Sequence, residues 1–448
     1  MTTTEHADQP AEAPASSSKQ GLVYPKMWVL FGVLICCFTA WGVAADLTTP
    51  MVAGFKRIFD MNTFQASLVQ LAYFGAYFLL AIPAALINER FGYKAGLLSG
   101  LFLAAAGAIA FYPASKIMTY EAFLVALFAI AAGCSILETS ANPYVLSLGP
   151  EETATRRLNF AQAFNPVGTN IGVLLAATLI LPKLDEPVNM ANLTPAEMHT
   201  IRAGELGAVM GPYLGLGFVL IAIALVIAMK KSPPIVEEYP DADLEGKSPV
   251  RILLSNKRYV FGVVAQFFNV AAQVCTWTFL IQYSQQALNG SLRLGGYLLQ
   301  VSLIVFLISR FIMTWVIGRI RATKVLTALG ALAVVLCIFA MLSPNVAGVA
   351  AVVALSFCLS LMFPTIYGVA LKGLGPATKF GAAGLVMAIV GGAIMPLIQG
   401  KLLDATSPAT SFIVPAVCFV VVTCYAVYDL RAEPPPAGAA PHVVGERA

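Results

Sequence analysis

Long apolar stretches return twelve times along this chain, at about 27–54, 64–88, 95–113, 121–148, 160–181, 206–229, 258–284, 295–318, 323–343, 346–371, 380–402 and 409–429. Each approaches or exceeds the roughly 20 residues that an α-helix needs to cross the hydrocarbon core of a bilayer, and all are far longer than a barrel strand. Lipid offers no water to an open backbone, so such stretches fold as helices that close their own hydrogen bonds. The composition agrees, with 58% hydrophobic and only 11% charged residues, where a soluble domain carries about 25% charged. The chain therefore reads as an all-α membrane protein embedded in lipid, with twelve transmembrane helices. An even number of spans returns both termini to one side.

Lys and Arg choose that side. Of 27 such residues, nineteen fall on the termini and the even-to-odd loops, seven on the opposite face, and Arg310 alone stays inside a span. The excess predicts cytoplasmic termini. The net charge of +4 is thus a topology signal and gives no reason to expect a nucleic-acid partner. Residues 1–26 lack the apolar core of a signal peptide and are rich in Ala, Ser, Thr, Pro and acids, so they read as a disordered cytoplasmic tail. Residues 430–448 form a second cytoplasmic tail. All eight cysteines lie in apolar spans without metal-ligand spacing and read as small packing residues. His6, His199 and His442 fall in tails or an outer loop, so neither a histidine proton relay nor a metal site is expected, and no catalytic motif suggests an enzyme.

Near the midpoint, residues 230–257 break the apolar pattern with prolines, acids and bases. They read as a cytoplasmic linker between an N-terminal half, 27–229, and a C-terminal half, 258–429. The halves echo each other: Glu89-Arg90-Phe91-Gly92-Tyr93-Lys94 opens the third span, and Gly318-Arg319-Ile320-Arg321 opens the ninth. Two parallel six-helix halves with a site near the midplane are the architecture of major facilitator transporters. The Glu89–Lys94 run resembles that superfamily's signature between the second and third helices, with Ala85 in place of its opening Gly. Glu89, Arg90 and Arg319 are accordingly candidates for latching a cytoplasmic gate. For the arginines, plain positive-inside anchoring is the other reading.

Three ionisable groups remain near the membrane interior: Asp46 on the first span, Glu138 on the fourth and Arg310 on the eighth. A charge held in a dry interior is costly, so intramembrane acids and bases are functional candidates by default. A carboxylate that gains and loses a proton there couples proton occupancy to conformational change, and all three are assigned to proton coupling. Asp46 also fits a helix-end residue open to water, and Arg310 a structural counter-ion. Uncharged polar residues supply a pocket. Asn142 lies one turn after Glu138. Gln162, Asn165 and Thr169 recur at helical spacing on the fifth span, where Pro166 frees a backbone carbonyl. Asn269, Gln273 and Trp277 align on the seventh, and Tyr73 with Tyr77 on the second. Amides that donate and accept, beside aromatic faces, suit a neutral polyhydroxylated ligand; hydrogen bonds between packed helices are the other use of such groups.

The run Leu137-Glu138-Thr139-Ser140-Ala141-Asn142-Pro143-Tyr144-Val145, then Leu148-Gly149-Pro150-Glu151 and Arg157-Leu158-Asn159-Phe160-Ala161-Gln162-Ala163-Phe164-Asn165, resembles the fucose permease family of sugar:proton symporters. Phe363-Pro364-Thr365-Ile366 and Thr378-Lys379-Phe380-Gly381 support it. The resemblance implies that Glu138 is the family's fourth-helix acid, active in proton coupling and sugar recognition. It also implies a first-helix Asp. Counting back from Pro50 puts Asp46 there, whereas an ungapped count from Trp41 puts Thr49 there. The expectation is a monomeric, proton-coupled importer of a small neutral sugar, L-fucose or a related hexose, in a bacterial inner membrane. It needs no cofactor beyond the proton gradient. Sodium-coupled glucose or galactose uptake, drug efflux and a non-transporting sugar sensor are the alternatives.

Overall fold

A computed structural model of the 448-residue chain describes residues 21–47, 63–175, 178–179, 195–229 and 248–432. The tail 433–448, most of the N-terminal tail and linker residues 230–247 lie outside the described residues. Among the described residues, ten helices are long and apolar enough to cross a membrane. One of them, Thr63–Ile117, contains the second and third spans merged across Gly92. At φ 79° and ψ 166° this residue occupies backbone that side chains rarely tolerate, so the Gly of the Glu89–Lys94 run is where one span turns into the next. The fifth span is missing from the ten because it is broken into Ala154–Gln162 and Asn165–Leu175. Twelve spans therefore build the bundle.

Short polar residues set several boundaries. Ser248 precedes Pro249 and accepts from the Arg251 amide at 3.3 Å, opening a short helix, Pro249–Ser255, inside the linker. Asn256 caps the seventh span, Lys257–Leu288, by accepting from Tyr259 at 3.1 Å, and Asn289 ends it in the left-handed conformation. Arg157 departs from the simple positive-inside reading. It is fully buried and donates to the carbonyls of Val145 at 2.7 Å, Gly149 at 3.0 Å and Leu22 at 2.8 Å, and also to Leu146. A guanidinium with five donors thus satisfies the end of the fourth span and ties the segment preceding the first span to it.

Two hydrophobic cores fill the bundle. One belongs to the first six spans but reaches across to Leu371, Leu374, Ala382, Leu385 and Val386 of the second half. The other lies wholly within the second half. Glycines bring the first and fifth spans together: a Cβ on Gly168 would strike the Thr39 carbonyl, and one on Gly42 the Asn165 carbonyl. The cysteines are free thiols; six are buried as expected, while Cys36 and Cys424 lie exposed.

The halves meet most closely at the end of the bundle where the linker attaches, here the linker end. Asn159 Nδ2 donates to Thr365 Oγ1 at 3.3 Å, Lys379 sits 5.7 Å from the Tyr93 ring centroid, and Gly368 packs on Thr155. At the opposite end Gln300 Nε2 donates to Asn170 Oδ1 at 3.1 Å.

Candidate functional site

A cavity of about 180 Å³ lies between the halves, walled by spans one, two, four, five, seven, eight, ten and eleven. Seven of the residues expected at the site line it: Glu138, Gln162, Asn165, Gln273, Trp277, Tyr73 and Arg310. Asn142 and Asn269 do not. Asn142 is fully buried behind Gln162, whose Nε2 donates to its Oδ1 at 2.8 Å. Asn269 is buried, and neither carboxamide atom has a hydrogen-bond partner among the described residues. Asp46 belongs to the first-span helix, Trp28–Leu47, but its side chain lies outside the described residues, as do Thr49 and Pro50. Glu89, Arg90 and Arg319 are exposed at the linker end. Arg90 stands 5.6 Å from the Phe91 ring and Arg319 stacks 3.6 Å over Trp315. Their neighbours are thus aromatic rings on their own chain segments.

Glu138 is buried with Asn142 beside it, and among the described residues neither carboxylate oxygen closes a well-formed hydrogen bond. Around it runs a framework of satisfied groups. Trp41 Nε1 donates to Tyr77 Oη at 2.8 Å, Tyr73 meets Tyr77 at 3.5 Å, and Ser135 donates to the Tyr77 carbonyl at 3.1 Å. These bonds fix two phenols and an indole around the acid without engaging its carboxylate.

Prolines make the remaining electrostatics. A proline has no N–H, so the carbonyl four residues earlier in its helix is left open. Pro166, just past the break in the fifth span, offers no N–H to the Gln162 carbonyl, and Pro364 frees the Ser360 carbonyl within the tenth. Arg310 fills both: its η1 nitrogen donates to the Gln162 carbonyl at 3.2 Å and its ε nitrogen to the Ser360 carbonyl at 2.6 Å. The guanidinium also stacks 4.6 Å over Phe306, one turn away. On the fourth span Pro143 frees the Thr139 carbonyl, which accepts from Asn88 at 3.3 Å. Arg310 is therefore held by neutral dipoles from both halves. The described ion pairs lie elsewhere, joining Arg258 and Arg321 to Asp429 at the linker end.

Trp277 spends its N–H on Ser356, at 2.9 Å, and stands edge-on to Phe306. It offers a ligand only its ring. Trp41, Asn170, Phe306 and Phe363 also line the cavity and were not assigned from sequence. Phe306 carried a legible signal, an aromatic one turn before a lone buried Arg; Asn170, one turn after Pro166, carried another.

A twelve-span bundle in two halves around a polar cavity that holds an unpaired acid defines a secondary transporter. Residues 29–391 match the model of the Major Facilitator Superfamily. The L-fucose-proton symporter of Haemophilus influenzae is 41% identical over 91% of this chain and 97% of its own length. A glucose/galactose transporter of Brucella abortus is 32% identical, over 95% and 98%. The crystal structure of the transporter FucP in its outward conformation superposes with a TM-score of 0.83 at 34% identity, covering 90% of this chain and 98% of that one. The chain belongs to the fucose permease family of the Major Facilitator Superfamily; it is a transporter and not an enzyme.

Proposed function

We propose that the protein is a proton-coupled symporter that imports a small neutral sugar, L-fucose or a related hexose, by alternating access. The observation that carries this reading is Glu138: a carboxylate with no well-formed hydrogen bond among the described residues, on the wall of a cavity rich in carboxamides and aromatic rings. A buried acid of this kind is where a proton can bind and leave. Amides and rings suit hydroxyls and the C–H faces of a sugar. The name borne by the 41% identical relative supports both the sugar and the proton. Gln162, Asn165, Gln273, Tyr73 and Trp277 form the sugar's first contacts, with Asn142 orienting Gln162. Asn269 supports the seventh span from behind. Asp46 shares the proton with Glu138, and Arg310 reports the state of the site to both halves.

The linker end is cytoplasmic on this reading, as the distribution of Lys and Arg supports. The closed linker end then corresponds to an outward-facing arrangement, with Glu89, Arg90 and Arg319 flanking the cytoplasmic gate. The protein works as a monomer in a bacterial inner membrane with both termini in the cytoplasm, and the proton gradient is its only energy source. Uptake of labelled sugars into vesicles, with a pH gradient or a sodium gradient imposed in turn, tests sugar and ion together. Accumulation of L-fucose under the pH gradient alone is expected. The same panel measures the second reading, glucose or galactose uptake, which the Brucella abortus relative favours.

A further inference from the structure

Beneath the cavity, toward the linker end, the closed bundle contains buried polar groups with no well-formed hydrogen bond among the described residues. Gln266 of the seventh span is fully buried, and neither its Oε1 nor its Nε2 has a partner. Asn142 Nδ2 and the Tyr367 hydroxyl, from the fourth and tenth spans, are buried beside each other, and neither closes a well-formed hydrogen bond among the described residues. Buried groups without a well-formed hydrogen bond are uncommon in packed interiors, and each calls for an explanation.

Their positions supply one. Residues seven apart on a helix lie within about 20° of each other around its axis, so Gln266 shares the face of the cavity-lining Gln273 and stands two turns closer to the linker end. Val270 and Trp277, which also line the cavity, flank the same face. Tyr259 continues it, its hydroxyl donating to the Gly381 carbonyl of the eleventh span at 3.0 Å. Tyr367 follows the cavity-lining Phe363 by one turn, and its phenol stands beside the Asn142 carboxamide. The polar side of the pathway thus continues past the cavity floor into the region that the apposed halves now seal.

We infer that Gln266, with Asn142 and Tyr367, is a second hydroxyl-binding subsite, occupied by the sugar when the halves part at the linker end and it leaves the cavity. A carboxamide and a phenol both donate and accept, which matches a ring bearing several hydroxyls. The cost of leaving these groups without well-formed hydrogen bonds in the closed arrangement is relieved when the halves part and sugar hydroxyls reach them. This inference rests on the sugar-transport reading and locates its release step.

L-fucose transport by the full-length protein, measured in right-side-out and inside-out vesicles, tests it. If the wild type moves no L-fucose in either orientation, the transport reading itself has failed. With an active wild type, Gln266→Leu is expected to raise the half-saturation concentration at the linker-end face by about fivefold or more, and at the other face by less than about twofold. An equal rise at both faces, or none at either, overturns the subsite. Gln266→Cys gives an independent reading that does not depend on the Leu variant folding. A membrane-impermeant thiol reagent should label it from the linker-end face alone, more slowly with L-fucose present. Labelling no greater than that of the wild-type protein overturns the proposal, as does labelling that L-fucose leaves unchanged.

Discussion

Arg310 and Glu138 both line the cavity, yet only the guanidinium closes well-formed hydrogen bonds among the described residues. The guanidinium spans two carbonyls, one from each half, and stacks on Phe306, so its charge is dispersed over dipoles whatever the acid does. Glu138, with no well-formed hydrogen bond among the described residues, is the group to which the proposed mechanism assigns the change of charge. Glu138→Gln keeps the shape and removes the titration, and should reduce L-fucose accumulation under an inward proton gradient to the level of simple equilibration. Undiminished accumulation by the variant would place proton coupling elsewhere. Arg310→Lys offers one ammonium where a planar fork met two carbonyls. Losing one such bond to a buried acceptor costs about 1–3 kcal/mol, so L-fucose counterflow should slow roughly tenfold although the charge is retained. A lysine variant with wild-type counterflow would show that the double carbonyl grip is dispensable. The acid and the lone Arg were both evident in the sequence because so few charges interrupt its apolar spans. Arg310's partners were not, since a carbonyl has no letter of its own.

Prolines are the exception, and at the level of helices they account for much of what was legible. Pro166 marks a freed carbonyl on the fifth span from sequence alone, and the helix breaks beside it, at Ala163 and Phe164. Knowing that Arg310 would fill that carbonyl required the packing of the eighth span against the fifth. The same packing decides which members of an amide stripe face the cavity. Asn269 and Gln273 lie four residues apart, yet only Gln273 lines it, because helical spacing places residues on a common side without saying where the edge of the cavity falls. Arg157 was hidden for a related reason: the charge count that orients the spans treats every loop cation alike, whereas this one is buried on carbonyls. Pro166→Ala restores an amide that competes with Arg310 for the Gln162 carbonyl. Counterflow should fall about fivefold or more while the melting temperature holds or rises, because the helix gains a hydrogen bond. A fall in both would point instead to general damage.

For the whole molecule, function requires that the two halves close at one end while opening at the other, and the linker end is where they are now joined. The first core continues across the interface into the tenth and eleventh spans, and Asn159 bonds Thr365 beside it. The contact of Gly368 with Thr155 permits a direct test. A Cβ built on Gly368 would lie 3.3 Å from the Thr155 Cβ, close to the separation of about 3.5–4.5 Å found across disulfides. Introducing Gly368→Cys together with Thr155→Cys and oxidising should therefore lock the linker end shut. Locked protein should still bind L-fucose from the opposite face, because the cavity wall is untouched, but it should neither accumulate nor exchange it, and a reductant should restore both. Wild-type protein, whose eight cysteines lie in apolar spans, serves as the control for oxidation elsewhere. If the locked variant continued to transport, the linker end could not be a gate, and the sugar would need a path that leaves this contact closed.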